Sequence, residues 1–217
     1  MKLLVVSICK DEGQTIGKVL QKIPQKIEGI TEIEKWVIDD GSTDNTAQEA
    51  KKHGAQVLSD GVQKRLAFRF REAVELALRR DADILVNVDG DLQFDPKQIT
   101  KLTGPIVKDE ADFVSGSRFV SEGGAKTRPA NMPYGKYVGN KIGAKIVSRL
   151  SKQSFNDVTC GFRAYNERAL IALNINNSYT YTQESFQVLA IKKLRIKSVP
   201  VEVKYFPGRK SRVVTSI

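Results

Sequence analysis

Short apolar runs alternate with amphipathic stretches along most of the chain. Residues 2–8 carry a continuous apolar run of strand length, and residues 15–27 set Ile16, Val19, Leu20 and Ile23 on one helical face. A second strand is predicted at 36–38, followed by a helix to about residue 52 that Ser42 or Asp44 can cap. A third strand at 56–58, a long helix over 62–80 and a fourth strand at 83–88 continue the alternation. Pro96 suits the first turn of another helix, to about residue 107, and 111–117 reads as a fifth strand. Strands separated by helices of this length predict an α/β fold, a doubly wound and mostly parallel sheet flanked by helices in a single domain. Such sheets bind ligands at the carboxyl ends of their strands.

The alternation breaks at residues 121–133, which are rich in Gly, Pro and charge and are expected to form a mobile loop. A helix over 134–151, a strand at 161–165, a helix near 183–193 and a strand at 197–205 follow, and 206–212 is basic and turn-like. In the helix at 134–151, Val138, Ile142, Ile146 and Leu150 recur every fourth position, beside a stripe of Lys141, Lys145 and Arg149. The expectation is a core-packed helix with a solvated basic face. The alternative is a basic amphipathic helix lying on an anionic membrane surface.

Charge sharpens this picture. The net charge is +10 over 217 residues, but residues 1–110 hold 17 Lys/Arg and 19 Asp/Glu, whereas 111–217 hold 18 and 6. A near-neutral first half joined to a half of net +12 (18 − 6) points to a large anionic partner on one face. Nucleic acid is disfavoured, because aromatic residues are not interleaved with the basic ones as a stacking platform requires. No apolar run reaches 18 residues, so no transmembrane helix is expected, and the apolar patch at residues 3–6 is too short for a signal peptide. Cys9 and Cys160 are too few for a disulfide scaffold and are expected to be small buried residues in a reducing cytoplasm.

The chemistry lies in carboxylates at predicted strand ends. The first strand turns through Cys9-Lys10-Asp11-Glu12-Gly13 without a GxGxxG spacing, and residues 13–18 match a phosphate-binding loop only loosely. Instead Glu12 follows strand one, Asp39 and Asp40 follow strand two, and Asp89-Gly90-Asp91 follow strand four. Converging carboxylates repel unless a cation joins them, and Mg²⁺ or Mn²⁺ prefers oxygen ligands shared with substrate phosphates. The D-x-D spacing lets both side chains approach one ion, and Gln93 adds a carbonyl oxygen. The plainer reading is that these residues terminate strands and cap helices.

The runs VIDDGSTDNT (37–46) and DGDLQ (89–93), in that order, resemble a family 2 glycosyltransferase of the GT-A fold. GSRF (116–119) and DVTCGFR (157–163) are similar to the polyprenyl-phosphate sugar synthases, the dolichyl-phosphate mannose or glucose synthase group. The resemblance implies inverting transfer of a hexose from a nucleoside-diphosphate sugar, of GDP-mannose or UDP-glucose/N-acetylglucosamine type, to a polyprenyl phosphate with Mg²⁺ or Mn²⁺. It implies a nucleotide-sugar site of Ile8, Lys10, Glu12, Val37, Asp39, Asp40, Asp89, Gly90, Asp91 and Arg118. Asp89, Asp91 and Gln93 match the metal site, and Asp91, Arg118 and Asp157 the catalytic positions. Arg163, Arg209 and Arg212 match an acceptor-phosphate site, which makes 1–117 the donor part and 118–217 the acceptor part. The implied partners are a nucleotide sugar, a polyprenyl phosphate and an anionic membrane surface or membrane-anchoring partner, on the cytoplasmic face of a membrane. A saccharide or other hydroxyl acceptor is the alternative, with Asp157 as proton acceptor, and Glu184 is a further acceptor-side candidate. This sequence departs from the family where Lys10 replaces an aromatic residue, where 61–67 lacks the usual glycines, and at Phe206.

Overall fold

The structure is a computed structural model that describes residues 1–176 and 181–206. Seven strands form one sheet in the order β3-β2-β1-β4-β6-β5-β7. They are β1 (Lys2–Cys9), β2 (Glu32–Asp39), β3 (Gln56–Ser59), β4 (Ile84–Asn87), β5 (Phe113–Ser117), β6 (Arg163–Asn166) and β7 (Ile196–Pro200). Every described pairing is parallel except those of β6, which runs antiparallel between β4 and β5. The expected mostly parallel α/β sheet is therefore present.

Both faces of β1 are buried, and its side chains divide between two apolar layers. Leu3 and Val5 pack with Ile16, Val19 and Leu20 of α1 (Ile16–Lys22), Ala50 of α2 (Thr46–Lys52), and Ile99, Leu102 and Ile106 of α4 (Ile99–Val107). Leu4 and Val6 pack with Phe70, Ala73 and Ala77 of α3 (Leu66–Arg79) and with residues of α5 (Tyr134–Ser151), α6 (Glu167–Ala172) and α7 (Thr182–Ile191). A strand buried on both faces is why residues 3–6 read as a continuous apolar run rather than an alternating one.

Three expectations change. The first helix stops at Lys22, because Ile23 precedes Pro24 and takes an extended conformation (ψ 125°). The long helix begins at Leu66 rather than Val62, since Arg65 sits at φ 71° and breaks the helical run. A short helix, α6, follows β6 unforeseen, its Asn166 cap accepting from the Ala169 N–H at 2.9 Å. Segment 121–133 contains no helix or strand. It folds back on itself through Ser121 N–H to Ala125 O (2.9 Å) and Thr127 N–H to Phe119 O (3.0 Å).

The core-packed reading of the α5 stripe is overturned. Ala144 and Val147 are the buried residues of α5, whereas Ile142, Ile146 and Leu150 remain 56%, 54% and 65% exposed. No described helix is long and apolar enough to cross a membrane.

Candidate active site

The parallel register brings the ends of the first three strands level: Cys9 lies opposite Asp39, and Asp39 opposite Ser59. Asp39 accepts from the Ser42 N–H (3.1 Å) and the Ser59 hydroxyl (2.8 Å), which closes the turn after β2. The turn after β1 is tied to it by Lys10 Nζ on Gly41 O (2.9 Å), Asp11 N–H on Ser42 Oγ (2.9 Å) and Thr43 N–H on Asp11 Oδ1 (2.7 Å). Glu12 is buried just beyond, its N–H donating to Thr46 Oγ1 at 2.8 Å and its Oε2 accepting from Thr15 Oγ1 at 3.0 Å.

The Asp89-Gly90-Asp91 turn enters this group at close range. A Cβ on Gly90 would lie 2.5 Å from Cys9 Sγ and 3.5 Å from Glu12 Cγ, so only glycine lets the turn settle there. A Cβ on Gly161 would lie 3.3 Å from Asp89 Oδ1, so the loop before β6 meets the same carboxylate from the other side. Asp91 Oδ1 accepts from the Gln93 N–H at 3.0 Å. The gathering of acids is felt by the Cys9 thiol. Burial, and then Glu12, Asp89, Asp39 and Asp91, push its pKa well above the ordinary value. Both cysteines are buried, and burial pushes Cys160 up to about 12. Neither is a nucleophile at neutral pH.

On the opposite flank, Arg118 and Asp157 form a buried bidentate pair: Arg118 Nε donates to Asp157 Oδ2 at 2.7 Å and Nη2 to Oδ1 at 2.8 Å. The Arg118 and Thr159 N–H groups donate to the same carboxylate, at 3.1 Å each. Burial opposes ionisation of Asp157, but the Arg118 guanidinium and these hydrogen bonds outweigh it and hold its pKa below the usual carboxylate range. Arg118 extends outward to Thr159 Oγ1 (2.6 Å) and Tyr205 OH (3.1 Å), and Thr159 in turn bonds Asn140 of α5. Lys136, in the first turn of α5, has Nζ over the Tyr205 ring at 5.2 Å. Burial and the nearby Arg118 pull its pKa down, while Asp91 opposes them. Lys136 thus feels the charges of both Arg118 and Asp91.

Three expected site residues have other duties. Arg163 is fully buried, and its guanidinium donates to Cys160 O (2.6 Å), Thr182 O (2.8 Å) and Val158 O (2.9 Å). Rings of Phe113, Tyr181 and Phe186 surround it at 5.0–5.6 Å. It is a pin for the 157–162 loop with no face left for an acceptor phosphate, and that assignment is corrected. Val37 is a fully buried member of the core, so its side chain cannot contact a nucleotide. Asp40 accepts from the N–H groups of Lys64 (2.7 Å) and Arg65 (3.2 Å) and from Arg69 Nε (3.0 Å), anchoring the start of α3 rather than facing a ligand. Ile8 is half-buried beside the core layer that contains Phe70. Arg209 and Arg212 lie outside the described residues. Glu184 accepts from the Asn176 N–H at 2.9 Å.

The donor set suits a hard cation. Asp89 and Asp91 offer carboxylate oxygens on one tight turn. Among the described residues no three acidic, His or Cys side chains gather as a metal cage. Two carboxylates with remaining positions left to phosphate and water is the pattern by which Mg²⁺ is usually bound. Sequence reasoning missed Lys136, Asn140, Thr159 and Tyr205. Their shared signal is spatial: Arg118 bonds Thr159 and Tyr205, the latter 87 residues away, and these in turn meet Asn140 and Lys136.

The Glycosyl transferase family 2 model matches residues 4–173. A dolichyl-phosphate hexose transferase of Haloferax volcanii is 31% identical over 207 residues, covering 95% of this chain and 84% of that protein. An undecaprenyl-phosphate mannosyltransferase of Micrococcus luteus is 26% identical over 167 residues, covering 75% and 63%. Among solved structures, glucosyl-3-phosphoglycerate synthase from Mycobacterium tuberculosis in complex with Mg²⁺ and UDP superposes with a TM-score of 0.72 at 20% identity, covering 96% of this chain and 72% of that one, a likeness of fold. With the carboxylate turns at the strand ends and a match that spans most of the chain, this protein belongs to glycosyl transferase family 2.

Proposed function

We propose that the protein transfers a hexose, with inversion, from a nucleoside-diphosphate sugar to a polyprenyl phosphate. The observation that carries this reading is the cationic flank: Arg118 is bonded to Asp157 and Thr159 of the loop whose Gly161 closes on Asp89 of the Asp89-Gly90-Asp91 turn. A site with carboxylates on one side, and a buried arginine and an exposed lysine, Lys136, on the other, suits two phosphorylated substrates. The relatives that act on dolichyl and undecaprenyl phosphate lend further support.

In this mechanism an oxygen of the acceptor phosphate attacks the anomeric carbon while the bond to the donor diphosphate breaks, and the diphosphate leaves with the electron pair. A phosphate monoester is anionic near neutral pH, so its attack requires no general base. Asp157 is matched to that economy: Arg118 occupies both of its oxygens and holds it ionised, leaving it unsuited to collect a proton from a hydroxyl acceptor. Its role is to orient Arg118, whose second Nη1 hydrogen would, with Lys136, meet the acceptor phosphate. Asp89, Asp91 and Gln93 would hold Mg²⁺ or Mn²⁺, which when bound neutralises the departing diphosphate.

The test is transfer of labelled sugar from GDP-mannose, UDP-glucose or UDP-N-acetylglucosamine to polyprenyl phosphate with Mn²⁺, read as label entering the organic phase. Transfer from one donor, lost in Asp91→Ala, is the expected result. Transfer only to water-soluble saccharides would overturn the reading.

A further inference from the structure

Beyond β7 the chain runs back along the candidate site as a strap, residues 201–205. The Val201 N–H donates to Ser117 O (3.0 Å), beside a Gly116 whose Cβ would lie 2.7 Å from Val201 Cγ2. Gln98 holds Glu202 by both main-chain groups: its Oε1 accepts from the Glu202 N–H at 2.8 Å and its Nε2 donates to Glu202 O at 3.0 Å. Val203 bridges antiparallel to Phe94, and the Lys204 N–H donates to Gln93 O at 2.8 Å. The strap is thus tied to the end of β5 and to the chain just past Asp91. At its end, half-buried Tyr205 touches two cations. Its hydroxyl accepts from Arg118 Nη1 at 3.1 Å, and Lys136 Nζ lies 5.2 Å from its ring centroid.

We infer that Tyr205 is a positioning residue for the acceptor phosphate, holding the Arg118 guanidinium and the Lys136 ammonium at one site while neutralising neither. Two cations at one site repel, and a carboxylate between them would relieve the repulsion only by competing with an incoming anion. A phenol instead offers its oxygen to one cation and its π face to the other, and both positive charges stay in place. Burial raises the Tyr205 pKa against the opposing effect of Arg118, so the hydroxyl is neutral at physiological pH. One hydrogen bond and one cation–π contact orient two flexible side chains only if the ring itself is fixed. The four hydrogen bonds to the main chain of residues 201–204 fix it. The inference rests on the lipid-phosphate reading for the identity of the anion.

The test is calorimetric titration of the full chain with citronellyl phosphate, a water-soluble phosphate monoester, in metal-free buffer. Tyr205→Phe keeps the ring but loses the oxygen, and should weaken binding about 5-fold. Tyr205→Glu sets a carboxylate against both cations, and should weaken binding on the order of 100-fold while its thermal midpoint stays at or above that of the wild type. A residue that only packs the strap would give the reverse, a lower midpoint in both variants with affinity unchanged. Gln98→Ala should weaken binding in the wild type and add less to Tyr205→Leu, since the two act through one strap. No binding by the wild type, or Phe and Glu variants within about twofold of it, would overturn the inference. Transfer to polyprenyl phosphate is followed in parallel, where Tyr205→Phe should raise the acceptor KM about 5-fold and change kcat less. If the variants rank as expected in binding but the wild type transfers no sugar to polyprenyl phosphate, the proposed function fails and the role of Tyr205 stands.

Discussion

Gly90 and Arg163 show how differently two residues of one motif set can act. Gly90 is the central residue of the D-x-D turn because a Cβ there would press on the Cys9 sulfur at 2.5 Å. Gly90→Ala should therefore displace Asp89 and Asp91 together. The expected result is loss of Mn²⁺-dependent nucleotide binding by calorimetry, with destabilisation of about 1–3 kcal/mol from overpacking. Arg163 separates two roles more sharply. Arg163→Met leaves three main-chain carbonyls without their donor, so thermal unfolding should fall by the equivalent of about 3 kcal/mol or more. A phosphate-binding arginine would instead raise the acceptor KM at an unchanged melting temperature. The motif identified Arg163 but was silent about its burial, because the rings that enclose it come from β5, α7 and the residue preceding α7. Glu12, Asp39, Asp89 and Asp91 were legible because each ends a strand or follows one directly. Lys136 and Tyr205 were not, since neither sits in a motif and their meeting with Arg118 depends on the whole fold.

Among the elements, periodicity located all seven strands but set neither their order nor the direction of β6. Boundaries failed where local backbone chemistry overrode the apolar pattern, at Ile23 before Pro24 and at Arg65. The pairing of β1, β2 and α3 also has an electrostatic clasp that no pattern shows. Glu34 of β2 accepts from Arg80, just past α3, at 2.7 Å and sits 2.8 Å from Lys2 Nζ of β1. Hydrogen bonding from Arg80, reinforced by Lys2 and Trp36 against the opposing effect of burial, lowers its pKa from 4.5 to about 2. A carboxyl with a depressed folded pKa stabilises fully above its unfolded value and loses that contribution as pH falls toward the folded one. The difference in thermal midpoint between wild type and Glu34→Gln should accordingly be largest above about pH 5. It should shrink steadily between that pH and about 2.

At the scale of the molecule, the +12 half supplies Arg118, Lys136 and the basic edge of α5, while the near-neutral half supplies the carboxylate turns. The charge split, which pointed to a large anionic partner on one face, thus falls across the two flanks of one candidate site and is not a division of the architecture. Divided at residue 117, the chain places β6 of the second part between β4 and β5 of the first, and among the described strands β5 pairs with β6 and β7 alone. The two halves are interleaved like the fingers of clasped hands. A fragment ending at residue 117 would strand β5 without a neighbour and leave β4 with a bare apolar edge, so it should aggregate on expression. Co-expression with 118–217 should restore a soluble, nucleotide-binding complex. Any lineage of such chains can then exchange loops at the strand ends, but it cannot trade its donor half for another as a cassette: each half completes the hydrogen-bond ladder of the other.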